Sequence, residues 1–192
     1  METIRAFIAI ELSEEVKQAL TKLQGRLKSD SRAPVKWTDT QGTHLTLQFL
    51  GNIDAAMVEK ITVAMKTAAQ DIRPFHLAVS GKGVFPNMAR VRVVWVGLKG
   101  DLEILAQLQK HIESALAPLG FTPEARAFTP HLTLGRVREE ARPDERQRLG
   151  QLVTEMKNDL ETTLEVNSVH LFRSQLRPTG AVYTRIASVE LK

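Results

Sequence analysis

The chain has 192 residues, 43% of them apolar and 25% charged, which is ordinary globular composition and enough length for one substantial core or two small lobes sharing one. It has no cysteine, so disulfides, thiolate metal sites and a cysteine nucleophile are excluded, and an excess of 26 basic over 22 acidic residues leaves a formal charge of +4, a mild bias towards anionic partners. The first apolar run, Ala6 to Ile10, ends at Glu11 and is too short for a signal segment or a membrane span, so a soluble cytoplasmic protein is expected, with a monomer as the default.

Taken in chain order, Thr3 to Ile10 reads as a strand. Ser13 followed by Glu14 and Glu15 starts a helix in which Val16, Leu20, Leu23 and Leu27 recur at helical spacing as far as Lys28. Val35 to Trp37 is a short strand, and Thr43 to Leu50 is a longer one that stops at Gly51-Asn52. Asp54 caps a second helix carrying Met57, Val58, Ile61 and Met65, which Pro74 prevents from continuing. Strands follow at Phe75 to Val79 and Arg90 to Val96. Asp101 then opens a third helix with Leu102, Leu105, Leu108, Ile112 and Leu116 in register. A strand over Ala127 to Val137, a helix from Pro143-Asp144 to Met156, and a strand over Thr162 to Phe172 come next. The turn Arg177-Pro178-Thr179-Gly180 leads into a last strand, Val182 to Val189. Short turns between neighbouring strands predict antiparallel pairing rather than a uniform parallel series. The expected fold is α+β: one bilobal domain over residues 1–192, each lobe an antiparallel sheet with two helices outside, the sheets facing a shared groove.

Two stretches repeat each other: Thr43-His44-Leu45-Thr46-Leu47 and Pro130-His131-Leu132-Thr133-Leu134, nearly half the chain apart. Strand alternation puts His44 and Thr46 on one face with Leu45, Leu47 and Phe49 on the other, and does the same for His131 and Thr133 over Leu132 and Leu134. Core packing accounts for repeated leucines but has no use for two copies of a polar His/Thr face. His76, His111 and His170, around which nothing repeats, are read as structural. Two imidazoles with pKa values near neutrality can divide acid and base work, and two hydroxyls can donate to the oxygens of an anion. These are the parts needed for in-line displacement at phosphorus, and none of them is a metal. Neither His-x-His nor His-Glu-x-x-His occurs, Gly-x-Ser-x-Gly is absent, and Gly81-Lys82-Gly83 is a turn, since Pro86 stands at the third glycine position of a dinucleotide fingerprint.

The two motifs in their setting, Thr43 to Gly51 and Phe128 to Arg136, resemble the 2H phosphoesterase superfamily, and within it the RNA 2′,3′-cyclic phosphodiesterases, also called 2′-5′ RNA ligases. The resemblance extends to Arg5 through Ile10, Gly83-Val84-Phe85-Pro86 with Arg92 through Gly97, and Leu171 to Ser174 with Leu176, Pro178, Gly180 and Tyr183. It implies hydrolysis of a 2′,3′-cyclic phosphate at an RNA 3′ end to a 2′-phosphate, and reversible, ATP-independent joining of 2′-5′ linkages in tRNA halves, with no cofactor and no metal. It also implies His44 as the proton donor to the departing 3′ oxygen, His131 as the proton acceptor, and Thr46 and Thr133 as phosphate ligands. Arg136 resembles a family arginine near the phosphate, although strict alternation points it at the core unless a bulge intervenes. Arg90 and Arg92 share a strand face that lines the groove or is solvated, and Trp37 and Tyr183 stack a base or pack. Two rivals stay open at this point: a non-catalytic RNA-end binder, and a phosphodiesterase for another small cyclic nucleotide, an ADP-ribose cyclic phosphate or a 2′-5′ oligoadenylate.

Overall fold

The computed structural model describes residues 2–125, 127–157, 160, 162–178 and 180–192. Among them are nine strands and four helices: β1 (Thr3–Glu11), α1 (Glu14–Asp30), β2 (Val35–Trp37), β3 (His44–Asp54), α2 (Val58–Ala69), β4 (Phe75–Phe85), β5 (Val93–Gly100), α3 (Leu102–Leu116), β6 (His131–Val137), α4 (Pro143–Glu155), β7 (Thr162–Val166), β8 (Ser168–Arg177) and β9 (Gly180–Glu190). The strands form two sheets, ordered β3-β1-β8-β9 and β2-β6-β5-β4-β7, and every neighbouring pair is antiparallel. This is the expected α+β architecture. No described helix is long and apolar enough to cross a membrane.

Local chemistry explains most boundaries. The Ser13 hydroxyl accepts from the Val16 amide at 3.3 Å, and Glu14 and Glu15 sit in the first turn of α1, whose Val16, Leu20, Leu23 and Leu27 are buried. Asp54 caps a 3₁₀ turn, Ala55–Met57, that runs into α2. Asp101 precedes α3 without capping it by its side chain; its Oδ2 instead accepts from the His76 amide at 2.9 Å, which ties the start of α3 to β4.

Several boundaries differ from the sequence reading. The strand carrying His44 does not stop at Gly51-Asn52 but continues to Asp54, because Gly51, at φ +70°, turns the backbone without breaking the pairing to β1. Arg90 belongs to a 3₁₀ turn capped by Asn87, so β5 begins only at Val93 and passes through Gly97 to Gly100. No strand covers residues 127–130. Thr162 to Phe172 is two strands, broken at Asn167 alone, and they belong to different sheets. In the turn before β9, Thr179 lies outside the described residues.

The halves of the chain exchange elements. β4, from the first half, pairs with β7 of the second, and β8, from the second, pairs with β1 of the first. The helices cross over too: α2 and α3 pack on each other and reach β9 and β3, whereas α1 and α4 reach β7 and β4. Buried residues of both sheets, among them Ile8, Leu45 and Leu171 with Leu77, Val96 and Leu132, belong to one apolar cluster. Phe7, Ala9 and Phe172 form a separate small cluster outside it. That second cluster marks the face on which His44 lies.

Candidate active site

Both His-Leu-Thr-Leu strands carry a β-bulge at the same motif position. On β3, Thr46 pairs with Ala9 but Gln48 with Ile8, so Leu47 is the extra residue; on β6, Thr133 pairs with Trp95 but Gly135 with Val94, so Leu134 is. The alternation therefore changes phase. Leu47 and Gln48 are both buried, as are Leu134 and Gly135, and the next residues, Phe49 and Arg136, return to the histidine face and are exposed. This overturns the core position expected of Phe49, which is 62% exposed and lies 6.1 Å from the Phe7 ring. It also brings Arg136 onto the face of His131 and Thr133.

The segment between β2 and β3 joins the two motifs. Thr38 follows β2; its amide donates to the Leu134 carbonyl at 2.9 Å, and its hydroxyl donates to the carbonyls of Thr133 and Leu134, both at 2.8 Å. The buried Gln24 of α1 holds the same corner, its Nε2 donating to the Thr38 and Leu134 carbonyls at 2.7 and 3.0 Å. From there a 3₁₀ turn, Thr40–Gly42, capped by Asp39, delivers the chain to His44. His44 thus lies six positions after a contact with the Thr133 backbone, and β3 and β6 approach each other although they belong to different sheets.

The two histidines have unlike surroundings. His44 lies opposite Glu11 on β1 and is boxed by aromatic rings, with centroids at 4.2 Å for Phe172, 5.3 Å and perpendicular for Tyr183, and 5.8 Å for Phe7. Burial lowers its pKa from 6.5 to about 4; the Glu11 carboxylate and a hydrogen bond at the Gly42 backbone act the other way, and Lys17 and His170 add to the lowering. His131 meets one ring, Phe85, edge-on at 5.2 Å. Its Nδ1 is 2.7 Å from the Thr129 carbonyl. A carbonyl can only accept, so Nδ1 carries the hydrogen and Nε2 is the atom left to give or take a proton.

A family model described as "LigT like Phosphoesterase" matches residues 10–95 and 97–183, and each stretch holds one His-Leu-Thr-Leu. The chain belongs to the LigT-like phosphoesterases. It is 35% identical over 94% of its length, and 95% of the relative's, to a Methanothermobacter thermautotrophicus protein named RNA 2′,3′-cyclic phosphodiesterase. A protein of the same name from Aquifex aeolicus is 29% identical over 96% of this chain and 95% of its own. The crystal structure of TT0787 of Thermus thermophilus matches with a TM-score of 0.79 at 26% identity, covering 98% of each chain.

In this LigT-like chain each histidine has an aromatic partner from the strand two places along its sheet, Phe172 from β8 for His44 and Phe85 from β4 for His131. Sequence reasoning missed both, as well as Phe7, Trp95, Thr38 and Gln24. Tyr183, 39% exposed, stands over His44 and against Gly42. Arg92 lies between the 3₁₀ turn that holds Arg90 and the start of β5, and it is exposed, so the two arginines share no strand face. Trp37 packs against the core, with the Lys28 ammonium 6.0 Å from its ring. The other histidines have structural partners or none near the motifs. His170 is buried between the hydroxyls of Ser168 and Ser188, His111 reaches the Ala68 carbonyl, and the His76 side chain is exposed. Among the described residues no three His, Asp or Glu side chains converge as a metal-ion cluster.

Trp95, opposite Thr133, lies flat over Gly83: a Cβ there would come within 2.4 Å of the indole. Gly83→Ala is expected to lower stability by ~1–3 kcal/mol by forcing the ring off the sheet. A fall in Tm with a change in tryptophan fluorescence is the expected readout, and an unchanged Tm would show that the ring has room to move.

Proposed function

We propose that this protein is an RNA 2′,3′-cyclic phosphodiesterase, a single bilobal domain that uses His44 and His131 as proton donor and acceptor. The observation that supports this best is the bridged pair of bulged strands, each offering an imidazole, a hydroxyl and one further exposed side chain on one face. In the reaction, water attacks the cyclic phosphorus and gives its proton to the Nε2 of His131. The bond to the 3′ oxygen breaks, and that oxygen takes the proton from His44. One water is consumed and a 2′-phosphate with a free 3′ hydroxyl results. Thr46 and Thr133 donate to the non-bridging oxygens, and Arg136, brought to the same face by its bulge, balances their charge.

The same two groups serve the same displacement with a ribose 5′ hydroxyl in place of water: the 5′ oxygen bonds to phosphorus and gives its proton to His131 while the 3′ oxygen leaves with the proton of His44. This is ATP-independent 2′-5′ joining of RNA ends such as tRNA halves, and the step run backwards cleaves that linkage. The setting is the cytoplasm, and the active unit is a monomer. Because acid and base are both side chains, hydrolysis of a 2′,3′-cyclic nucleotide is expected to be unchanged in EDTA and to release only the 2′-phosphate isomer. Product analysis by phosphorus NMR, with and without chelator, decides the matter. Binding without turnover would favour an RNA-end binder, a 3′-phosphate product would reverse the assignment of the leaving oxygen, and loss in EDTA restored by zinc would overturn the two-histidine mechanism.

A further inference from the structure

The duplication is broken in one place. The sheet β3-β1-β8-β9 ends at its motif strand, whereas the other sheet adds β2 outside its motif strand β6. On that added strand Lys36 is the register partner of Arg136, and both are exposed. Two like charges directly opposite in a sheet are destabilising. Here no carboxylate among the described residues pairs with either. The cations continue along the edge. Arg138, in phase with Arg136, donates its amide to the Pro34 carbonyl at 2.9 Å, and Arg32 precedes Pro34 by two residues on the β2 side. Arg138 is exposed and Arg32 precedes the strand at the same edge; among the described residues the one acidic contact, Glu140 to Arg138 at 4.0 Å, is between side chains more than half in solvent. The duplicated positions on the other sheet are uncharged: Phe49 answers to Arg136, and among the described residues no strand lies outside β3.

We propose that the outer edge formed by β2 and β6 is a backbone track, on which Lys36, Arg138 and Arg32 hold the phosphates of the RNA chain attached to the cyclic end, continuing from Arg136. This rests on the cyclic-phosphodiesterase reading and narrows its substrate class from cyclic mononucleotides to oligonucleotides. Residues two apart on a strand stand roughly 6.6 Å from each other, a spacing at which successive cations can each meet a phosphate of an extended single strand.

The test compares wild type with Lys36→Gln/Arg138→Gln, which removes both charges without setting a carboxylate opposite Arg136, on a 2′,3′-cyclic mononucleotide and on a single-stranded RNA oligomer ending in the same cyclic phosphate. Oligomer binding is followed in parallel by fluorescence anisotropy. The expected result is a mononucleotide kcat/KM within twofold of wild type and an oligomer kcat/KM and affinity at least tenfold lower. The salt dependence of oligomer affinity should be shallower by about 1.4 in log–log slope, the value for two lost phosphate contacts on a single strand. A control with Lys60→Gln/Lys110→Gln, exposed on α2 and α3, makes the same change in net charge and should leave the oligomer unaffected. Equal losses on both substrates, no loss on the oligomer, or an equal loss in the control would overturn the track. If wild type turns over neither substrate, the functional reading fails, and the anisotropy series still decides the track by itself.

Discussion

His44→Ala and His131→Ala are each expected to lower kcat on a 2′,3′-cyclic phosphate by about 10²–10⁴-fold while leaving KM within a few-fold. Each imidazole moves a proton only as the phosphorus–oxygen bonds change, so its loss removes stabilisation that exists in the transition state and not in the bound ground state. The double variant should fall little further than either single one, because a base without an acid and an acid without a base each leave the same step uncatalysed. At His44 the alanine also empties a box walled by Phe7, Phe172 and Tyr183, so His44→Gln, which keeps most of the volume, is the second variant needed. A glutamine variant with a wild-type Tm and the same loss of kcat locates the effect in proton transfer. Near-normal turnover in either histidine variant would remove that histidine from the mechanism.

The candidate site was legible in the sequence because it resides in a repeat: His-Leu-Thr-Leu is spelled out twice, at His44 to Leu47 and at His131 to Leu134. The rest of the face was not, and the reason is geometric. A bulge belongs to the register between two strands, so nothing in Leu47-Gln48-Phe49 alone says that the phase changes there. The trace that did exist is Gln48, a polar residue among leucines, which is 2% exposed with its Oε1 unpartnered. Phe7 was hidden for a different reason. Arg5 to Ile10 is apolar from Ala6 onwards because both faces of β1 are covered, and such a run has no alternation from which to read a face. Phe172 was placed beside the last strand, where it lies, but its stretch gave no sign that a single residue, Asn167, moves the chain from one sheet to the other and so brings Phe172 to β1. Exchange of β4 and β8 between the halves is likewise invisible to local pattern: it concerns which antiparallel partner is chosen, and either sheet offers one.

The box around His44 sets the second large effect. In the free protein the His44 imidazole should titrate at about 4, well below the ordinary 6.5, because three aromatic rings keep water from its charged form. Between pH 6.5 and about 4 the unfolded chain then holds a proton that the native chain does not, so this residue contributes a loss of stability as pH falls through that window and none above it. His44→Gln should therefore be relatively more stable than wild type at pH 4.5 than at pH 7, as measured by Tm at both. A neutral His44 cannot donate a proton, and the bound substrate supplies what is missing: a phosphodiester anion beside the ring favours imidazolium, so binding should draw a proton from solution. Imidazole NMR should show the His44 midpoint moving upward by more than one unit when a 2′-nucleotide is bound. Phe172→Ala, which admits water to the ring, should move it upward without ligand. An unliganded midpoint already near 6.5 would mean that the rings do not exclude water. A midpoint that stayed near 4 with ligand bound would exchange the roles, leaving His44 as the base and His131 as the acid.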